Sequence, residues 1–147
     1  MNREIEFRGF DSREWRYGDL EYNRKDDVAQ IHTYKDDGSY NKQYLVDPYT
    51  VCEFTGMRDR HGKKIFEGDI VRRKDSAFGY VDTWVVKYDC HLGAFILEHE
   101  SYGRTYQSTF KKGFSDNDGK CTIEGTYSYE VIDNIYDNPE LLDAKQV

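Results

Sequence analysis

Residues 54–72 read FTGMRDRHGKKIFEGDIVR, and this stretch decides how the rest of the chain can fold. It holds one turn signal at residues 59–62 and a second at residues 67–69, with a short apolar pair at 65–66 between them. Glycine supplies positive φ and aspartate bonds the neighbouring main chain, so such clusters mark tight turns that bound strands. The stretch therefore predicts short β-strands joined by turns, and it carries no evident chemistry.

Upstream of this stretch, four strand candidates follow one another. Apolar residues at period two place Ile5 and Phe7 on one face of the first candidate. Gly9 is expected to end that strand, and a bulge or kink is expected at Gly18. Because proline cannot donate to a strand ladder, Pro48 is expected to follow the last candidate. The candidates are residues 3–8, 14–22, 28–34 and 40–46. We therefore expect an N-terminal β-meander lobe over residues 1–53.

Downstream, further short strands are separated by turn signals about 8–12 residues apart, a spacing typical of small barrels and sandwiches. Asn138 and Pro139 match the N-cap and first helical position of a short C-terminal helical turn. Residues 116–119 are expected to form a mobile loop tip. The strand candidates are residues 70–74, 80–88, 94–99, 104–110 and 126–136. We expect an all-β fold in which the meander lobe packs on an SH3-like small barrel over residues 54–147.

Composition restricts the class of protein. The 147 residues form one domain or two small lobes, and 16% are aromatic, which argues against disorder. Formal charge is −7, so contact with nucleic acid would need a local basic patch. Three widely spaced cysteines indicate free thiols in a reducing compartment. Without a signal peptide or an apolar run of about 18 residues, we expect a soluble, cytoplasmic protein with no membrane partner.

Sequence motifs for catalysis and cofactor binding are absent. The chain has no GxxxxGK[ST] loop, no GxGxxG after a strand, no GxSxG elbow, no HExxH and no CxxC. Cys90, His91 and His99 are the one local Cys/His grouping. Adjacent strand residues face opposite sides, so surface histidines with a buried thiol explain them better than a metal ion. Glu67 and Asp69 are interpreted as fixing a turn. We therefore expect no catalytic residue, no metal, no cofactor and no enzyme activity.

One basic cluster stands out on this acidic chain. It consists of Arg58, Arg60, His61, Lys63 and Lys64, with more cations at residues 72–74. One interpretation is a solvated hairpin tip whose cations guard an edge strand against aggregation. The other is a phosphate-contacting patch beside exposed aromatic residues, as single-strand binders have. These five residues are the candidate binding residues of the sequence.

Four blocks resemble the YopX family of phage and prophage proteins. They read REIEFRG (3–9), EWRYGDL (14–20), FTGMRDRHGKKIFEGDIV (54–71) and YEVIDNIYDNPELL (129–142), in the order of the family. The resemblance implies a phage or prophage origin, and with it the cytoplasm of a bacterial host cell as the location. It also implies a mainly β fold and no established biochemical activity, so no catalytic residue carries over. Asp133 stands where family members usually have glycine. The motif residues, interpreted as structural, are Gly56, Gly62, Glu67, Gly68, Asp69, Asn134, Tyr136, Asn138 and Pro139.

Three functional hypotheses follow. The first is a small accessory protein that acts as a protein-interaction module on an unknown host or phage protein, with self-association through an exposed edge strand left open. The alternative is nucleic-acid binding through the basic hairpin 58–64. An enzymatic function would need Glu67, Asp69 and a histidine to meet in a pocket. The first hypothesis fits the acidic, aromatic-rich composition best.

Overall fold

The computed structural model describes residues 3–75, 78–110, 114–115, 121–122 and 127–143; the expected loop tip at 116–119 lies outside them. In chain order, strands β1 to β13 span Phe7–Phe10, Trp15–Asn23, Val28–Tyr34, Tyr40–Val46, Cys52–Arg58, Lys64–Phe66, Asp69–Asp75, Val81–Asp89, Ala94–Ser101, Arg104–Ser108, Phe114–Ser115, Cys121–Thr122 and Tyr127–Asn134. Helix α1 is Glu140–Asp143, and a single 3-10 turn covers Pro48–Thr50. Strands make up 61% of the structure and helix 5%, which confirms the all-β class.

The chain divides into two compact units, one ending at Phe54 and the other beginning at Thr55. The boundary predicted from the sequence lies between residues 53 and 54. Strand β5 begins in the first unit and ends in the second. Each unit has its own cluster of buried apolar side chains, and the two are described separately below.

In the first unit, β1 to β4 form an antiparallel meander, and the start of β5 pairs with β1. Strand β2 changes partner along its length, because residues up to Gly18 pair with β1 and residues from Asp19 pair with β3. A Cβ at Gly18 would lie 1.9 Å from the carbonyl oxygen of His32. Only glycine permits this approach, so the strand continues through the position where a bulge or kink was expected. The buried core consists of Ala29, Ile31 and Val46.

The first strand differs from its expected bounds. It covers Phe7–Phe10 instead of residues 3–8, and Gly9 lies inside it. A Cβ at Gly9 would lie 2.6 Å from Cγ2 of Val46, so the glycine lets β1 pass close to the core end of β4. The prediction that Gly9 ends the strand was therefore wrong, because a tertiary contact uses the residue that looked like a breaker.

In the second unit, five antiparallel strands follow the order β10-β9-β8-β7-β13. Strands β7 to β10 are a meander, and β13 returns beside β7. The buried cluster on one face of this sheet consists of Ile65, Val71, Trp84, Val86, Leu97 and Tyr129. Strands β10 and β13 are the two ends of the described order, so closure into an SH3-like barrel stays a prediction. The two-residue strand β12 runs parallel to the end of β5.

Candidate interaction surfaces

The basic turn at residues 58–64 joins β5 to β6. Arg60, His61 and Lys63 are exposed, whereas Arg58 and Lys64 are half-buried at the ends of the two strands. The five predicted binding residues are therefore close in the chain but differ in their access to solvent. Arg60 and Lys63 present their charged groups, and His61 its imidazole ring, on the tip of the turn.

A buried carboxylate holds this turn in place. Asp59 is 1% exposed, and its Oδ1 accepts the main-chain N–H groups of His61 and Lys63 at 2.9 and 3.0 Å. Its Oδ2 accepts the N–H of Val131 at 3.0 Å, and the N–H of Arg60 donates to the carbonyl of Tyr129 at 3.0 Å. Since Tyr129 and Val131 belong to β13, Asp59 closes its own turn and also docks that turn on the last strand.

An acidic side chain lies among the exposed cations. Oε1 of Glu130 is 3.6 Å from Nε2 of His61, and its Oε2 is 3.9 Å from a terminal nitrogen of Arg72. Exposed pairs of this kind contribute little to stability, typically 0–1 kcal/mol. Their effect on the surface is to neutralise part of the positive charge that a phosphate group would meet.

The second turn of the opening stretch connects β6 to β7. Asp69 is 1% exposed, and its Oδ2 accepts the N–H of Phe66 at 2.8 Å. Gly68 has φ +82° and donates its N–H to the carbonyl of Val86 at 2.8 Å. The side chain of Glu67, which precedes Gly68, is half-buried. The Asp69 carboxylate is thus occupied by the main chain. The motif glycines Gly56 and Gly62 also have positive φ, +84° and +80°.

The C-terminal motif closes the turn after β13. Oδ1 of Asn134 accepts the N–H groups of Tyr136 and Asp137 at 3.0 and 2.9 Å, and its Nδ2 donates to Oδ2 of Asp137 at 2.9 Å. Asn138 donates its side-chain amide to Asp133. Asp133 is not among the described non-glycine residues with positive φ, so no backbone strain accompanies the departure from the family glycine. The side chains of both asparagines therefore form hydrogen bonds within residues 133–138 and stabilise this turn.

A cleft of about 360 Å³ lies in the second unit, with Val85, Ile135 and Pro139 among its lining residues. At its rim, Nζ of Lys87 donates to Oε1 of Glu98 at 2.6 Å. This hydrogen bond to the ammonium lowers the pKa of the Glu98 carboxyl below its usual range. Glu98 is therefore an ionised partner of an ion pair at neutral pH, and such a group is a poor proton donor.

Within the described ranges, no three His, Cys, Asp or Glu side chains come together as a metal site would need. His99 instead packs on Trp84 with ring centroids 5.4 Å apart, and its Nδ1 lies 3.1 Å from the carbonyl oxygen of Thr83. The thiol of Cys52 is buried, whereas that of Cys90 is exposed on a turn, so the prediction of a buried thiol at Cys90 was wrong. In the part of the chain that the structure describes, no helix has the length and apolar character to cross a bilayer.

Three aromatic side chains are exposed on turns of the second sheet. Phe78 and Tyr80, which are 76% and 73% exposed, lie between β7 and β8 with ring centroids 6.3 Å apart. Tyr102 is 96% exposed and lies between β9 and β10. Alternate turns of a meander lie at the same end, and extending the β8–β9 register places Tyr102 opposite Val81. We call Phe78, Tyr80 and Tyr102 the aromatic end.

Tyr102 has an unusual backbone conformation. Its φ is +52° and that of Gly103 is +71°. Positive φ at both central positions is what a type I′ hairpin turn requires, and Asn-Gly is the pair that suits it best. The left-handed region costs an ordinary L-residue about 1–2 kcal/mol. A bulky aromatic residue is therefore kept in a strained position with its side chain in water.

The chain was compared with families of known sequences and with solved structures. The profile of the family described as YopX protein matches residues 6–143, nearly the whole chain. The chain belongs to the YopX family. Among solved structures, the protein EF1440 from Enterococcus faecalis is similar at 19% identity, over 95% of this chain and 99% of that one, with a TM-score of 0.44. No curated protein matches the chain.

In this YopX-family chain, the basic turn is the candidate binding surface that the sequence predicts, and the aromatic end is a second candidate that the sequence did not predict. A usable signal was present, since Phe78 and Tyr102 directly precede the turn glycines Gly79 and Gly103. Alternating strands bury most aromatic residues, so an exposed aromatic residue is hard to distinguish from a core one in the sequence. An aromatic residue immediately before a turn glycine lies in the turn, where the alternation of buried and exposed side chains along a strand has ended.

Proposed function

We propose that this YopX-family protein is a phage- or prophage-encoded accessory protein that acts by binding another protein. In this proposal it works in the cytoplasm of the bacterial host, has no catalytic activity, and presents its binding residues on an SH3-like barrel. The observation that carries the proposal is the aromatic end, where Phe78, Tyr80 and Tyr102 are largely exposed on neighbouring turns.

Aromatic residues are well suited to this role. Each can bury about 150–250 Å² against a partner, and tyrosine is enriched among the residues that dominate binding energy. A tyrosine has only two side-chain torsions, so fixing it in an interface loses little conformational entropy. Exposed aromatic residues on loops that are positioned by a rigid sheet match the way many binding sites are built.

The strain at Tyr102 supports the same proposal. Asparagine would satisfy the turn at lower conformational energy, yet the position holds a tyrosine with φ +52° and 96% exposure. Backbone strain tends to cluster at functional sites. A side chain that contacts almost nothing in its own fold gives no stability in return, so an intermolecular contact is the better explanation for it.

Capture of partners from phage-infected host cells tests the proposal. The bait is the full chain, compared with a variant carrying Phe78→Ser, Tyr80→Ser and Tyr102→Asn. The matched control is Tyr49→Ser, which removes an aromatic side chain 81% exposed in the first unit. We expect a stoichiometric protein that wild type and the control retain and the triple variant loses. Retention by the triple variant, or no stoichiometric protein with any bait, would reject the proposal.

Nucleic-acid binding through the basic turn is the weaker alternative. Arg60 and Lys63 are exposed on its tip, which supports the alternative, while Glu130 beside His61 and Arg72 reduces the local positive charge. Phosphate contacts release counterions, so binding must weaken steeply as salt rises. Titration of labelled single- and double-stranded DNA and RNA at several salt concentrations decides it. A salt-dependent signal that Arg60→Gln and Lys63→Gln abolish would favour the alternative.

A further inference from the structure

The first unit presents a second surface, at the edge of its sheet. Strand β4, Tyr40–Val46, is the last strand in the described order of that sheet. Its first four residues and Leu45 are exposed. An edge strand offers main-chain N–H and C=O groups that can pair with an added strand. The side chains around β4 determine which kind of segment can pair with it.

Register shows which side chains share the outward face beside this edge. Residues opposite each other in a ladder point to the same face. His32 lies opposite both Asp19 and Gln43, so these three share the face. The ring of Tyr40 lies 5.9 Å from the rings of His32 and Tyr34, which places both tyrosines there as well. The outward face at one end of β3 and β4 is therefore aromatic.

Carboxylates stand behind these rings. Oδ2 of Asp19 accepts the hydroxyl of Tyr34 at 2.7 Å, and Oε2 of Glu21 lies 2.7 Å from Nε2 of His32. From Asp19 through the end of β4, the outward strand positions carry no lysine or arginine. Lys42 points to the opposite face, where its Nζ is 5.0 Å from the ring centre of Tyr44. The outward face is thus both aromatic and acidic.

We infer that the β4 edge takes an extended segment of another protein that carries arginine or lysine at alternate positions. The inference rests on the proposed protein-binding function but uses a separate surface in the other unit. Main-chain pairing with β4 supplies the attachment, and one cation of the segment lies over the ring of Tyr40. Alternation of side chains along a strand then leaves the intervening residues of the segment facing away from the aromatic–acidic face.

The aromatic ring and the carboxylates lie at different distances from an added strand, so they act on it in different ways. Strands lie about 4.8 Å apart, so an added strand is next to Tyr40 but roughly 14 Å from the β2 carboxylates. Asp19 and Glu21 are therefore too far away for direct ion pairs. They contribute a negative potential that is screened over about 8 Å at physiological salt, whereas the cation–π contact with Tyr40 is direct.

Charge also disfavours a second copy of this chain as the occupant. Two copies paired through β4 around Gln43 would place their acidic faces side by side. On the other face, Lys42 of each copy would meet the Tyr44 ring of the other, over which the Arg16 guanidinium already lies at 3.7 Å. Lysine and arginine would therefore face each other on that side of the sheet, whereas the β2 carboxylates of the two copies, roughly 24 Å apart, would be screened from each other. A basic segment whose intervening residues are uncharged avoids the repulsion at Lys42.

The test uses fluorescein-labelled synthetic peptides and the full chain. The probe has four Thr-Arg repeats, and its controls have four Pro-Arg repeats or four Thr-Glu repeats. Proline removes the N–H donor at every second position and fixes φ at about −65°, far from the roughly −140° of an antiparallel strand, so it disfavours strand pairing while the charge is unchanged. Binding is measured by fluorescence anisotropy, and NMR amide shifts locate the site.

We expect the Thr-Arg peptide to bind at least about tenfold more tightly than either control and to shift the amides of residues 40–46. Tyr40→Ser should weaken binding about 2- to 5-fold at any salt concentration. The double variant Asp19→Asn with Glu21→Gln should weaken it at low salt only. Its matched control, Asp26→Asn with Asp27→Asn, removes the same charge from the β2–β3 turn and should bind like wild type.

Three results with the peptides would overturn the inference. They are equal binding of the Thr-Arg and Pro-Arg peptides, amide shifts that lie away from β4, and no binding of the Thr-Arg peptide. Concentration-dependent dimers with shifts at β4 would also overturn it, in favour of self-pairing. The variant lacking the aromatic end should bind the peptide normally, so failure here and failure of the proposed function are separate outcomes.

Discussion

Replacing Asp59 by asparagine tests the contact that holds the opening stretch on β13. The substitution keeps the size of the side chain and removes one oxygen and the charge. In the wild-type chain, Oδ1 accepts hydrogen bonds from the N–H groups of His61 and Lys63, and Oδ2 accepts one from the N–H of Val131. Asparagine has a single acceptor oxygen, so its amide nitrogen must face at least one of these donors.

The magnitude follows from this count. A buried N–H left without its acceptor costs about 1–3 kcal/mol, and Val131 loses its acceptor if the amide oxygen keeps the other two donors. The remaining two bonds change from charged to neutral, which weakens each by roughly 1 kcal/mol. We therefore expect Asp59→Asn to lower the free energy of unfolding by about 3–5 kcal/mol. That is a large part of the 5–15 kcal/mol typical of a folded protein.

Urea unfolding at constant pH measures this change, and the chain offers a matched control. Oδ1 of Asp89 accepts the N–H groups of His91 and Leu92 at 2.8 and 3.1 Å in an exposed turn. Asparagine can keep both bonds there, so Asp89→Asn should cost no more than about 1 kcal/mol. If Asp59→Asn costs as little as this control, the docking of the turn on β13 through Asp59 is refuted.

Three further predictions concern local geometry and charge. Gly18→Ala should destabilise by at least about 2 kcal/mol in urea unfolding, because its Cβ would meet the carbonyl oxygen of His32; a neutral effect would contradict the close approach. Tyr102→Asn should raise the melting temperature by about 2–4 °C, since it relieves roughly 1 kcal/mol of left-handed strain; a lower melting temperature would show that the tyrosine stabilises its own fold. The Asp11 carboxyl should titrate by NMR with a pKa of about 2, lowered from 3.8 first by the hydrogen bond from the main chain of Glu14. Its contribution to stability is therefore complete above pH 3.8 and is lost as the pH falls through 2. A midpoint near 3.8 would exclude that bond.

The candidate surfaces were only partly predictable. The basic turn was visible because its four cations and His61 are close in sequence. Glu130 lies some 70 positions away, and its neutralising effect depends on the β7–β13 pairing. Asp59 was read as a turn residue, and its bond to Val131 likewise depends on a distant strand. The aromatic end joins two turns that are more than 20 residues apart, so only the strand register shows that they share one end of a sheet.

Sequence alone determined the all-β class, the turns of the opening stretch and membership of the YopX family. These follow from local periodicity, turn chemistry and ordered motifs, which are readable without knowing which segments meet. Tertiary structure decided that Gly9 and Gly18 continue strands, that Asp59 docks the opening stretch on β13, and that β4 borders an acidic, aromatic face. The physical reason is that close backbone approach, burial and shared sheet faces arise between residues far apart in the chain, where local patterns carry no information.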